Sequence, residues 1–159
     1  MRFFFRRLGK EHALSILRWR YLPPYDFYNF DINTIQEDLC YLTDPKNAFY
    51  AILNVYEELE GYCSFGADGQ VPGGDYSTEA LDIGMGIRPD LVGQGHGKHY
   101  AQAVVKYGAN IYRAQKCRVT IAEFNKRAQR VWAQVGFEQI GKFVKTGTEE
   151  EFVIMIYEV

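Results

Sequence analysis

The residues whose types and spacing are best suited to chemistry lie in one stretch. It runs Asp82-Ile83-Gly84-Met85-Gly86-Ile87-Arg88-Pro89 and continues Asp90-Leu91-Val92-Gly93-Gln94-Gly95-His96-Gly97-Lys98. Glycines at alternate positions from Gly93 to Gly97, set directly before apolar residues at helical spacing, predict a side-chain-free turn that opens a helix. The first N–H groups of a helix have no partner within it, and the helix dipole adds partial positive charge there. Such a turn therefore suits a phosphate-bearing ligand. The spacing narrows the ligand. A P-loop has the form G-x-x-x-x-G-K-[ST], but Gly93 and Gly97 stand too close for it and His99 follows Lys98. A dinucleotide fingerprint needs G-x-G-x-x-G, which alternating glycines do not supply.

The form that remains is Pro89, a variable stretch, then Gln94-Gly95-His96-Gly97 and a helix. It closely resembles the acetyl-CoA-binding segment of the GNAT-type N-acetyltransferases, in which turn amides hold the CoA pyrophosphate. A second segment, Glu123-Phe124-Asn125-Lys126-Arg127-Ala128 followed by Val131-Trp132-Ala133-Gln134-Val135-Gly136-Phe137, resembles the family's "N-x-x-A … aromatic-x-x-x-G-F" pattern. Here Asn125 is expected to cap a short helix and Gly136 to supply its left-handed C-terminal residue. The resemblance implies acetyl transfer from acetyl-CoA to a primary amine, of a small molecule or a peptide, by direct attack in a ternary complex. It also implies acetyl-CoA contacts at Met85, Gly86, Ile87, Gly93, Gln94, Gly95, His96, Gly97, Lys98 and Asn125. Two departures stand out. The family usually has Gln or Arg at the position of Val92, and many members have a tyrosine at that of Trp132, thought to protonate the departing thiolate. An indole N–H cannot serve as that acid.

The chemistry requires a neutral amine, a stabilised oxyanion and a proton for the thiolate. Alkyl amines are mostly protonated at neutral pH, so a base or a water chain must act. Asp82 is the best-placed base by alternation, since it shares a strand face with Gly84 and Gly86; Glu79 and Glu123 are weaker candidates. A strand-edge aspartate that binds water or an arginine is the plainer alternative. Oxyanion stabilisation is expected from a backbone N–H near Met85 or Gly86. Tyr25 and Tyr28 belong to the aromatic run Tyr21-Leu22-Pro23-Pro24-Tyr25-Asp26-Phe27-Tyr28-Asn29-Phe30. They read either as a wall of the acceptor site or as a plug between the first two helices. His96 and His99 have the i, i+3 spacing of a metal pair but no third ligand nearby, so no metal is expected. Lys116, Arg118, Lys126 and Arg127 read as mostly exposed charge.

The positioning elements follow from periodicity. Leu81, Ile83, Met85 and Ile87 alternate with Asp82, Gly84 and Gly86, which predicts a strand with one apolar face and one nearly bare face that something approaches closely. Arg88-Pro89 ends it. A helix is predicted from near Gly95 to Tyr112, a strand over Cys117–Ala122 and a helix over about Lys126–Val135. Strands over Phe137–Val144 and Phe152–Val159 complete the C-terminal half. The N-terminal half reads as a strand from Arg2 to Leu8, a helix from Glu11 to about Trp19, and a second helix to about Tyr41 opened by a capping box at Asn33-Thr34-Ile35-Gln36. Strands follow over Ala48–Val55 and Gly61–Phe65. The fold class is mixed α/β. By resemblance it is a GNAT-like, mostly antiparallel central sheet with helices on both faces, and 1–159 form a single domain.

Composition bounds the rest. The chain has 159 residues, a hydrophobic content of 47% and a formal charge of −2, with no basic footprint for nucleic acid. No apolar run approaches the length needed to span a bilayer, and Met1-Arg2-Phe3-Phe4-Phe5-Arg6-Arg7 is too short in its apolar part for a signal peptide. Cys40, Cys63 and Cys117 are unpaired by spacing and read as buried free thiols of a reducing, cytoplasmic setting. The partners expected are acetyl-CoA and an amine, without nucleic acid or membrane, and the resemblance is compatible with a homodimer. Two other readings stay open: a non-catalytic CoA-binding sensor, and a transferase of another acyl group.

Overall fold

Phe49-Tyr50-Ala51-Ile52-Leu53 has no polar face, and in the folded chain every one of these residues is buried. Successive side chains of a strand point to opposite sides, so this segment feeds two cores. Tyr50 and Ile52 enter one, and Phe49, Ala51 and Leu53 the other. A computed structural model describes residues 1–159 and arranges a seven-stranded sheet between these cores.

In chain order the elements are β1 (Phe4–Arg7), α1 (Lys10–Leu17), α2 (Ile35–Thr43), β2 (Phe49–Leu53), β3 (Leu59–Phe65) and β4 (Leu81–Ile87). There follow α3 (Gly97–Tyr112), β5 (Lys116–Ala122), α4 (Lys126–Val135), β6 (Glu138–Val144) and β7 (Glu151–Glu158). The sheet order is β1-β2-β3-β4-β5-β7-β6. Every neighbouring pair is antiparallel except β4 and β5. Ala13, Ile16 and Leu17 of α1 and Leu39 and Leu42 of α2 cover one face. Tyr100, Ala101, Val104 and Val105 of α3 and Trp132 of α4 cover the other.

The parallel pair decides where a ligand can enter. β4 and β5 are paired at Leu81 with Cys117 and at Asp82 with Arg118, and no further. Beyond Asp82, β4 keeps its partner β3 and β5 keeps β7 to the ends of the strands, so the two halves of the sheet part and leave a gap. A parallel pair needs a crossover, here α3, and its N-terminus lies beside the gap.

The predicted α2 capping box does not form. A single 3₁₀ turn, Ile32–Thr34, precedes the helix, and the Asp31 carboxylate accepts the N–H of Asn33 at 2.8 Å. Thr34 turns its hydroxyl to Asp38 instead of capping. The Asn125 cap does form, with its Oδ1 accepting from the Ala128 N–H at 3.0 Å, and Gly136 takes φ +121° at the end of α4. Cys63 and Cys117 are buried, but Cys40 is exposed, on the outer side of α2.

Candidate active site

Gly93 and Gly95 adopt φ +78° and +81°, a region that L side chains rarely enter, and a Cβ at either would meet nothing within 4 Å. These glycines are therefore required by backbone shape and leave open space beside it. The backbone N–H groups from Gly93 to Lys98 find no acceptor inside the protein. α3 begins at Gly97 with no side-chain cap, so its orphan donors add to the same set. Gly97 has a further reason to be glycine, since a Cβ there would lie 2.8 Å from Val131 of α4. Lys98 and Gln94 are exposed, and His96 is half-buried at the N-cap.

β4 supplies a second set of free backbone groups. The Gly66 N–H donates to the Asp82 carbonyl at 2.8 Å and the Arg88 N–H to the Glu60 carbonyl at 2.9 Å. An antiparallel ladder alternates, so residues 82, 84, 86 and 88 turn their polar backbone atoms to β3, and Ile83, Met85 and Ile87 turn theirs to the gap. Tyr21 confirms the direction at one end, its hydroxyl donating to the Ile87 carbonyl at 2.6 Å. The amide of Gly86 faces β3, so of the two N–H groups considered for an oxyanion only that of Met85 is turned toward the gap.

A cavity of about 400 Å³ fills the gap, and its lining joins Gly93, Gly95 and Gly97 to β4, β5 and α4. Met85, Gly86, Ile87 and Asn125 line it, as do Tyr25 and Tyr28. The sequence reading missed Tyr21, Tyr62, Tyr100 and Arg127 on the same lining. Tyr21 lay within the aromatic run that pointed to Tyr25 and Tyr28, whereas nothing local marks Tyr62. Burial pushes the Tyr21 phenol up to about 12, with Arg127 opposing. Burial also raises Tyr28, against the hydrogen bond that Asn125 Nδ2 donates to its hydroxyl at 3.1 Å. Tyr100 is raised by burial first and by donating to Glu60 second.

Asp82 does not occupy the position expected of a base. It is 4% exposed, and Arg118, 2% exposed, holds it in a bidentate pair at 2.7 and 2.9 Å. Gln70 donates to the same Oδ2 at 2.9 Å. Arg118, read as exposed charge, is thus a buried partner whose own pKa is raised by this hydrogen bonding. The pair sits at the last paired position of β4 and β5 and closes the vertex of the gap. The bare face of β4 is approached closely, but by the protein itself. A Cβ at Gly86 would lie 2.4 Å from the Tyr62 ring, and one at Gly84 2.6 Å from Ser64 Oγ. Glu123 is turned away to Lys126, whose hydrogen bond lowers its pKa. Trp132 is buried edge-on against Phe137 at 5.0 Å and lines the cavity with its ring.

A family model described as "Acetyltransferase (GNAT) domain" matches residues 2–138. The chain belongs to the GNAT family. Solved structures agree with the GNAT fold. An acetyltransferase (GNAT family) from Bacillus anthracis superposes with a TM-score of 0.75 at 16% identity, over 99% of this chain and 95% of that one. A chimera of spermidine N-acetyltransferase SpeG from Vibrio cholerae and hSSAT gives 0.69 at 17% identity, over 98% and 95%. No curated protein matches by sequence. GNAT members use acetyl-CoA as co-substrate, and this chain is an acetyltransferase of that family. The free amides of the turn and of β4 on one continuous cavity fit a long ligand with a pyrophosphate and an amide-bearing arm. No group of His, Cys, Asp and Glu side chains gathers to hold a metal, and no helix is long and apolar enough to cross a membrane.

Proposed function

We propose that the protein transfers an acetyl group from acetyl-CoA to a primary amine by direct attack in a ternary complex, within the gap between β4 and β5. The observation that carries this reading is that Gly93, Gly95 and Gly97, from a turn whose backbone donors find no acceptor in the protein, and Met85 line one cavity. Bound acetyl-CoA supplies an activated thioester carbonyl. The amides of Gly93 to Lys98, with Lys98 at their edge, hold the pyrophosphate. Met85 and Ile87 pair with the pantetheine arm, and the Met85 N–H faces the carbonyl oxygen as negative charge develops there. Asn125 and the Trp132 ring pack beside the sulfur end.

The ammonium first loses one proton to water; the neutral nitrogen then bonds to the acetyl carbon as the carbon–sulfur bond breaks, the thiolate takes a proton from Tyr28, and the second proton lost by the nitrogen passes through water to the Tyr28 oxygen. Tyr28 is chosen because its hydroxyl is held by Asn125 on the cavity and its raised pKa keeps it protonated at neutral pH. Trp132 has no acidic proton to give. No carboxylate or imidazole lines the cavity, so deprotonation of the amine is left to solvent. Free thiols at Cys40, Cys63 and Cys117 accord with a reducing, cytoplasmic setting. The test is release of CoA thiol with a panel of amines, repeated with propionyl-CoA. Thiol release that depends on the amine and favours the acetyl donor supports the proposal. Binding of acetyl-CoA without turnover indicates a sensor, and preference for a longer acyl group another transferase.

A further inference from the structure

The aromatic wall of the cavity has a distinctive charge. Tyr21, Tyr25, Tyr28 and Tyr62 line it, with Phe124 packed against Tyr25 and Tyr28 and Trp19 behind Tyr62. Arg127 is the one charged side chain on the whole lining. No carboxylate lines the cavity, and three on or beside the strands around it are already engaged. Glu60 accepts from Tyr100 and Asn54, Asp68 from Tyr41 and Ser64, and Asp82 from Arg118 and Gln70. Arg127 is half-buried, and it takes part in none of the protein's ion pairs or side-chain hydrogen bonds. Its guanidinium carbon lies 3.9 Å from the centroid of the Tyr25 ring. A guanidinium laid on an aromatic face keeps its planar fork of donors free at the edge, and that fork matches a carboxylate.

We infer that the acceptor is an aromatic amine that bears a carboxylate, of the class of aromatic amino acids, and that Arg127 reads the carboxylate. The inference rests on the acetyl-transfer reading above. The acceptor ring lies among Tyr25, Tyr28 and Tyr62, where offset or edge-on contacts are available to it. Its carboxylate supplies the counter-charge that the protein does not give Arg127. A polyamine is a poor match, because its further ammonium groups would meet a cation on the lining and no carboxylate there.

The experiment follows CoA thiol release with phenylalanine, phenylalanine amide and spermidine, on the wild type and on Arg127→Gln. Phenylalanine is expected to exceed its amide in kcat/KM by about tenfold or more, the scale of a lost hydrogen bond to a charged group. Spermidine is expected to rank last. The amide has the less basic amine, so protonation alone would give the opposite order. In Arg127→Gln the preference for the acid collapses while the KM for acetyl-CoA stays unchanged, and that KM also reports a folded variant. Three results overturn the inference: spermidine ranks first, acid and amide react alike in the wild type, or the acid preference survives Arg127→Gln. A raised KM for acetyl-CoA in the variant with the preference intact assigns Arg127 to a cofactor phosphate. If no amine of any kind releases thiol, the acetyl-transfer reading fails and the inference falls with it, a result distinct from a wrong ranking.

Discussion

Where the cavity meets the glycine turn it is lined by Gly93, Gly95 and Gly97, whose N–H groups lack an acceptor in the protein, whereas its aromatic wall is made of side chains brought from separate segments. Tyr21, Tyr25 and Tyr28 come from the loop between α1 and α2, Tyr62 from β3 and Arg127 from α4. The difference has functional meaning. Backbone amides cannot be exchanged by substitution, so the first end suits a ligand part that never varies. Side chains can be, so the second end suits the part that distinguishes one acetyltransferase from another. The Asp82–Arg118 pair at the vertex of the gap fixes where β4 and β5 part.

The largest expected effect breaks that division point. Asp82→Ala leaves Arg118 buried without its partner, and loss of about 3–5 kcal/mol is expected in urea unfolding. Replacing both, Asp82→Leu with Arg118→Met, should recover most of it. A general base would behave otherwise, with activity lost and stability kept.

The next test belongs to the aromatic wall. Tyr28→Phe should lower kcat by about 10²–10⁴-fold, the usual range for a lost acid–base group, with the KM for acetyl-CoA little changed. An enzyme that keeps full activity would place the acid elsewhere. A subtler effect concerns the amine's proton. With no carboxylate or imidazole on the lining to accept a proton, kcat/KM for the acceptor should rise with pH until the acceptor's own amine is neutral. A less basic acceptor should move the inflection down by the difference in amine pKa. An inflection at one pH for every acceptor would reveal a base in the protein. Because the Tyr28 pKa is raised, its phenol stays protonated through this range, and activity should fall only as pH passes above the ordinary tyrosine value.

These two ends also differ in how far they could be read from sequence. The glycine turn, the α4 cap at Asn125 and the apolar alternation of β4 are local patterns, and each element appears within a few residues of its predicted bounds. The burial of Asp82 against Arg118 was not legible, because alternation tells which residues share a face, not what covers it. Tyr62 and Ser64 of β3 and the side chain of Gln70 close that face, and Arg118 comes from 36 positions away in the chain. Arg118 looked like surface charge for the same reason, as its counter-ion lies on another strand. Arg127 could not be told from its exposed neighbour Lys126 until the Tyr25 ring was seen to lie against it. The α2 cap was misplaced by a few residues because Asp31 captured the N–H of Asn33 first.

The smallest effect concerns the thiols. Cys40 is exposed and should react quickly with a disulfide reagent. Cys63 and Cys117 should react only on unfolding, since burial raises both thiols, Cys117 to about 11, and leaves little thiolate near neutral pH. Fast reaction of a second thiol would show that the core opens more readily than its packing implies.

The most direct test of the central claim is thermal unfolding with and without acetyl-CoA, for the wild type and for Gly95→Val. At about 100 times its Kd a ligand that binds only the folded state should raise Tm by roughly 5 °C or more in a chain of this size. Nothing lies within 4 Å of a Cβ at Gly95, so the variant has room to fold, but its φ of +81° is strained for a branched side chain and the added atoms fill the open space beside the amides. The account predicts a clear shift for the wild type and none for the folded variant. An equal shift in both would contradict the assignment of Gly93 to Lys98 as the acetyl-CoA cradle.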